Sequence, residues 1–163
     1  MEIVFKGERA IEVNNCRIMW RNFSGLNSKY ADPINKRGFI IPLPNKEIAD
    51  ELEANGWTVK PGKVYNDGED PMLYLEIKFN YKIKGKEPVI RLKTGNRVVR
   101  LSENTVDCLD EIDIESVSLD AHGSDWVLSD GREGRTAWLD SLLVVQKLDR
   151  FAYLEEEAVP FED

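Results

Sequence analysis

Residues 73–101, LYLEIKFNYKIKGKEPVIRLKTGNRVVRL, constrain the fold more than any other stretch of this 163-residue chain. The stretch opens with strict alternation. Leu73, Leu75, Ile77, Phe79, Tyr81 and Ile83 share one parity, and Tyr74, Glu76, Lys78, Asn80, Lys82 and Lys84 share the other. A period of two is the signature of a strand with one face buried. Two further β-rich runs flank Gly95-Asn96, a pair that predicts a two-residue hairpin of type II′, with glycine first. That turn sets a register. Thr94 faces Arg97, Lys93 faces Val98, Leu92 faces Val99, Arg91 faces Arg100 and Ile90 faces Leu101. One side, Ile90, Leu92, Val99 and Leu101, is then a core face. The other carries Arg91, Lys93 and Arg100. Two arginines directly opposite each other repel, so an anionic partner is expected there, unless both extend into water and salt screens them.

Charge is distributed very unevenly. The formal total is −8. Residues 1–71 are near neutral at −1, with 10 Lys and Arg against 11 Asp and Glu. Residues 72–100 hold 8 against 2, a net of +6, and residues 101–163 hold 4 against 17, a net of −13. A basic middle beside an acidic last third says more than the total does. The chain is long enough for one domain with a sizeable core. No apolar run reaches transmembrane length, and the first fifteen residues lack the apolar region of a secretory signal. Cys16 and Cys108 are isolated and His122 is the lone histidine, which excludes a Cys/His zinc site and a disulfide framework. A reduced, cytoplasmic protein with no cofactor and no membrane contact is expected.

Before the central stretch, residues 2–6, 9–13 and 16–23 read as strands. In the last of these Ile18 and Trp20 fall on one face. Residues 24–36 read as a loop, and Phe39–Leu43 as a strand at whose end or edge Pro42 sits. Asn45 is the expected N-cap of a helix over 46–55, stopped by Gly56. Trp57–Val59 resumes as a strand and 62–71 is an exposed loop. Ser102 is expected to cap a second short helix bearing Val106, Leu109 and Ile112. Ile114–Ala121 alternates, and Trp126–Leu128 pairs with 135–148 in a last hairpin. On that strand Ala137, Leu139, Leu143 and Val145 share one parity, and Trp138, Leu142 and Val144 the other. The whole is mainly β (α+β), a small β-barrel with two short helices. Residues 1–148 form the domain, and 149–163 an acidic tail.

Basic residues are interleaved with rings: Arg21, Phe23, Tyr30, Arg37, Phe39, Trp57, Tyr74, Lys78 and Lys82. Single-strand binders need this pairing, since cations track phosphates and each exposed ring stacks a base for about 1–3 kcal/mol. Phe39, Phe79 and Tyr81 share parity with apolar neighbours and are expected in the core. Tyr74 shares parity with the lysines and is the best stacking candidate, with Phe23 and Trp57 beside it. The expected phosphate contacts are Arg21, Arg37, Lys78, Lys82, Arg91, Lys93 and Arg100. In the tail, Glu155, Glu156 and Glu157 precede Phe161, a disordered polyanion able to compete with DNA for the basic groove. Its Pro-Phe tip offers partner proteins an anchor. Glu76-Ile77-Lys78, with Asp67, Glu69 and Asp70 upstream, matches half of a Mg²⁺-dependent nuclease site, though alternation alone generates such a triplet. A protein-interaction or DNA-mimicking inhibitor module is the third reading, drawn from the acidic last third.

Residues 18–43, IMWRNFSGLNSKYADPINKRGFIIPL, resemble the opening of phage and mobile-element single-stranded DNA-binding proteins. There an Arg-Asn-Phe-x-Gly segment (here Arg21 to Gly25) precedes a Tyr (Tyr30), a Lys-Arg pair (Lys36-Arg37) and a Phe (Phe39). Further blocks are similar: Gly56-Trp57-x-Val59-Lys60, Tyr74-Leu75-x-Ile77-Lys78-Phe79, Ile114-Glu115-x-Val117-x-Leu119, Trp126 and Ala137-x-Leu139. The resemblance implies an OB-like barrel and cooperative or homodimeric binding of single-stranded DNA. It also implies a non-catalytic role in phage-type replication or recombination, with the acidic tail recruiting replication or recombination proteins. The tail departs from the bacterial form, because Glu162 and Asp163 follow Phe161.

Overall fold

The central hairpin forms in the expected register. In the computed structural model, which describes residues 1–151, β7 (Val89–Thr94) pairs with β8 (Arg97–Leu101), placing Arg91 opposite Arg100 and Thr94 opposite Arg97. Gly95 takes φ +60°, while Asn96 stays out of the positive-φ region. Type I′ requires positive φ at both central residues and II′ only at the first, so the turn is of the II′ kind. The preceding strand, β6 (Leu73–Phe79), buries Leu75, Ile77 and Phe79 as its parity predicts. It ends sooner than the alternation does. The Asn80 side chain accepts a hydrogen bond from the Lys82 backbone N–H at 3.1 Å, an Asx turn that stops the strand. Ile83 is therefore 60% exposed, and at the hairpin's far edge Val99 is 41% exposed, so neither is a core residue.

The remaining elements are β1 (Glu2–Phe5), β2 (Ala10–Cys16), β3 (Met19–Asn22), β4 (Arg37–Pro42), α1 (Lys46–Ala54), β5 (Lys60–Pro61), a 3-10 turn (Val106–Asp110), β9 (Ile114–Val127) and β10 (Glu133–Gln146). Among the described residues all ten strands join one sheet in the order β1-β2-β9-β10-β6-β4-β3, with β5 on β6 and the β7–β8 hairpin on β10. Strand β10 is the hub. One edge pairs antiparallel with β9. The other pairs parallel with β6 at Ala137 and Trp138, then with β7 from Ser141 to Val145. The hydrogen-bonded path does not close on itself, so the expected barrel is an open sheet wrapped around one core. Among the described residues no helix is long and apolar enough to cross a membrane.

Local signals set the helices. The Asn45 side chain accepts from the Ile48 N–H at 2.9 Å, as an N-cap should, and Ala49 and Leu52 are the buried stripe of α1. The second expected helix is only the 3-10 turn. Its N-cap residue is Thr105 and no side chain caps it. Its buried residues, Val106 and Leu109, are three apart, the spacing that eclipses in a 3-10 helix. Pro42 ends β4, which is an interior strand flanked by β3 and β6. The residues 155–157 and 161 of the expected tail lie outside the described residues.

Simple alternation fails on β10. Ala137 and Leu139 are buried, and then Leu142 and Val144 rather than Leu143 and Val145. The register with β9 slips between Leu139 and Ser141, so a bulge at Asp140 exchanges the two faces. Beyond it, Leu143 and Val145 point outward with Trp138 on the other side of the bulge, all three half-buried.

Candidate nucleic-acid interface

Because Leu75, Ile77 and Phe79 fill the core, Tyr74, Glu76 and Lys78 project from the outer face of β6. Across from them on β4 lie Pro42, Ile40 and Gly38 in register. The Trp20 ring, on β3, meets Tyr74 edge-on, with centroids 5.1 Å apart and planes at 73°. Trp20 is 56% exposed. A cleft of about 370 Å³ runs between this face and the β3–β4 loop, lined by Trp20, Asn22, Asn35, Lys36, Gly38 and Lys78 among others. Gly38 forms its floor. A Cβ there would collide with the Ile77 carbonyl oxygen, so the close approach of β4 to β6 requires glycine. On the loop, Tyr30 is exposed, with the Lys29 and Lys36 ammonium groups 5.7 and 6.0 Å from its ring centroid. The exposed Trp20 ring and the cations Lys36 and Lys78 thus line one open cleft, with Tyr74 in edge contact with Trp20, the combination single-strand binding uses.

Trp20 holds φ at +51°. For a bulky residue this is a true outlier, and such strain clusters at functional sites. It also explains why the ring leaves the face shared with Ile18, which packs against the core while Trp20 stands in solvent. One consequence is measurable. Trp20→Gly is more stable to denaturant than Trp20→Ala by about 1 kcal/mol, since only glycine enters the left-handed region without penalty. In an ordinary strand the order is reversed; alanine as the more stable variant would show that the backbone is not strained there.

Glu76 accepts a hydrogen bond from Lys60 at 3.0 Å and lies 3.3 Å from the Lys78 ammonium. Partial burial pushes its carboxyl pKa up, but Lys60 and Lys78 outweigh that and hold it below the usual range. The carboxylate is committed to two lysines. Among the described residues no three His, Cys, Asp or Glu side chains are placed to hold a metal ion, and the Asp67, Glu69 and Asp70 loop does not line the cleft. Glu76 and Lys78 thus form one ion-paired group with Lys60 on the outer face of β6.

Four of the expected contacts belong to the framework. Phe23 has 0% exposure and stacks on Phe39 at 5.4 Å and against Phe79 at 5.6 Å. Trp57 has 2% exposure, with the Arg135 guanidinium 5.1 Å from its ring centroid. Neither ring can offer a face to a base. Arg37, 8% exposed, donates from Nε to the Pro33 carbonyl at 2.6 Å and from Nη1 to the Phe23 carbonyl at 3.0 Å, and lies 5.2 Å from the Tyr81 ring centroid. Arg21 donates from Nη1 to the carbonyls of Leu109 and Ile112, at 2.8 and 2.6 Å. These arginines satisfy backbone oxygens that have no ladder partner, as irregular loops over a core must. Asp110 does the reciprocal task, accepting from the N–H groups of Phe23 and Ser24 at 2.7 and 3.0 Å. The Arg-Asn-Phe and Lys-Arg segments therefore build the loop that walls the cleft, and only Lys36 of the four cations and rings in them lines it with a free charge.

The other expected contacts are accessible. Lys78 lies on the cleft, and Lys82 is exposed just beyond β6. Arg91, Lys93 and Arg100 are exposed on the hairpin, on the outer face by register. Pattern reading passed over Trp20 and Trp138 as rings on the outer face. The first was hidden by the φ reversal at Trp20 and the second by a strand apolar on both parities.

Residues 2–161 match the family model of a phage ssDNA-binding domain. Among solved structures, the single-stranded DNA-binding protein from bacteriophage Enc34 superposes with a TM-score of 0.52 at 15% identity, covering 93% of each chain. The same phage protein in complex with ssDNA gives 0.54 at 15% identity, covering 91% of this chain and 93% of that one. No curated protein matches the sequence. At such identities the structural likeness is one of fold, whereas the sequence match spans almost the whole chain: the protein belongs to the phage single-stranded DNA-binding domain family.

Proposed function

We propose that the cleft between the outer face of β6 and the β3–β4 loop is where a single strand enters. Bases stack on Trp20 and Tyr74, and Lys36 and Lys78 take the flanking phosphates. The observation that carries this reading is Trp20 itself: a large ring, held out in water by a strained backbone, beside a second ring and the cleft-lining Lys36 and Lys78. Lys82, Arg91, Lys93 and Arg100 extend the positive field. The protein coats and protects single strands during phage-type replication or recombination, in the host cytoplasm, by binding without catalysis. Stacking uses a face that every base has, so binding is tolerant of sequence.

Titration with oligo-dT, followed by tryptophan fluorescence and a mobility assay, against duplex of equal length, tests the reading. If about four phosphates are neutralised, log affinity falls with log salt at a slope of roughly −3. Affinity that is flat across salt rejects the cationic cleft. We further infer that residues 149–163, with Glu155, Glu156, Glu157 and Phe161, compete with DNA for the same cations and present Phe161 to replication or recombination proteins. Deleting them tightens oligo-dT binding; unchanged or weaker affinity removes the competing role.

A further inference from the structure

Beyond Lys78 the outer face continues along β10. Trp138 is the register partner of Lys78, so its half-buried ring stands next to the end of the cleft. Past the Asp140 bulge, Leu143 and Val145 point to the same face. Their register partners on β7 are Arg91 and Lys93, and Arg100 lies across from Arg91 on β8. The result is an apolar strip bordered by three exposed cations. On the strip's other border, β9 presents Ser116 and Ser118 as the partners of Val145 and Leu143.

We propose that this strip is a second arm of the interface: the single strand crosses from the cleft to Trp138, turns there, and runs along β10 with its bases over Leu143 and Val145 and its phosphates on Arg91, Lys93 and Arg100. The inference rests on the cleft as the entry site. Charge dictates the turn. Straight ahead from Trp138 lie His122 and Asp120 on β9 and Glu12 on β2, with Lys6 3.5 Å from Glu12; Asp140, at the bulge of β10 itself, is held toward β9 by His122 (Nδ1 to Oδ1, 2.6 Å). That direction is acidic, and the β7–β8 side is cationic. The second arm also supplies a reason for Arg91 and Arg100 to face each other, since a phosphate between them converts a repulsion into two charge-assisted hydrogen bonds. Glu87 and Glu103 share a pocket with Arg100, and neither carboxylate is paired with it or with Arg91. Among the described residues neither arginine forms an ion pair.

Length separates the arms. Two strand spacings from β3 to β6 span the cleft, about 10 Å, one more reaches Trp138 on β10, and Trp138 to Val145 adds about 20 Å. At the stacked spacing of about 3.4 Å per nucleotide, the two arms together hold about ten nucleotides and the cleft alone about three. The experiment is equilibrium binding of fluorescein-labelled oligo-dT of about three and about twelve nucleotides to the full chain. Trp138→Ala weakens the longer oligonucleotide about tenfold, the loss of one stacked base, and leaves the shorter one unchanged. The double variant Arg91→Gln, Arg100→Gln also weakens the longer oligonucleotide about tenfold, and affects the shorter one only through the long-range field, a loss that added salt removes. It alters only exposed side chains and so stays informative if Trp138→Ala fails to fold. Should both variants bind the longer strand as the wild type does, while Trp20→Ala weakens both lengths, the second arm is wrong and the cleft stands. If Trp20→Ala weakens neither length, the entry site is wrong and the arm falls with it.

Discussion

Trp20→Ala weakens binding of oligo-dT by about tenfold or more while leaving the fold intact. An exposed ring that stacks one base contributes about 1–3 kcal/mol, and each 1.4 kcal/mol is a factor of ten in affinity. Trp20 is more than half exposed and packs on Tyr74 only by an edge. Its truncation therefore removes little apolar burial, and the change appears in the binding isotherm rather than in the unfolding curve. Trp20→Phe restores part of the affinity, because a smaller ring still presents a face. An alanine variant that binds as the wild type does would place the stacking surface elsewhere, and a variant that fails to fold would show that the ring is a structural residue.

Phe23→Ala lowers unfolding stability by about 3–5 kcal/mol, the cost of emptying a large buried ring from a close-packed core. Phe23 is one of a group of rings with Phe39 and Phe79, and its own carbonyl is an anchor for Arg37. Natural domains have only about 5–15 kcal/mol to lose, so the midpoint in urea shifts far down. The denaturant slope changes little, because the surface exposed on unfolding is nearly the same. A shift worth less than about 1 kcal/mol would mean that Phe23 is not packed as described. The pair Trp20 and Phe23 separates two roles that sequence pattern had merged. Both stand in the same basic, aromatic segment, three residues apart. One is exposed on the proposed binding face and the other fills the core.

That merging has a physical origin. Interleaved rings and cations are what a single-strand groove needs, and they are also what a loop uses to close over a core. Arg37 and Arg21 illustrate the second use. A guanidinium carries five donors, so it can satisfy several stranded carbonyls at once, and a sequence cannot say whether those donors meet a phosphate or a backbone oxygen. Trp57 is similar, since its partner Arg135 comes from β10, far along the chain. The nearby Tyr74 and Lys78 were legible as outward-facing, because β6 keeps an unbroken alternation from Leu73 to Phe79.

What the amino-acid order settled alone is everything governed by a few adjacent residues. Gly95-Asn96 determined the turn and with it the full β7–β8 register, Asn45 determined the start of α1, and the charges determined that the middle of the chain is basic. The tertiary structure decided which rings are inside, which arginines are free and which face of β10 is outer. A period of two reports that faces alternate, not which face meets the core. A single reversed φ at Trp20 and a single inserted residue at Asp140 exchange those faces without leaving a mark on the pattern. Burial is a property of partners distant in sequence, and it appears only once the sheet has folded around its core.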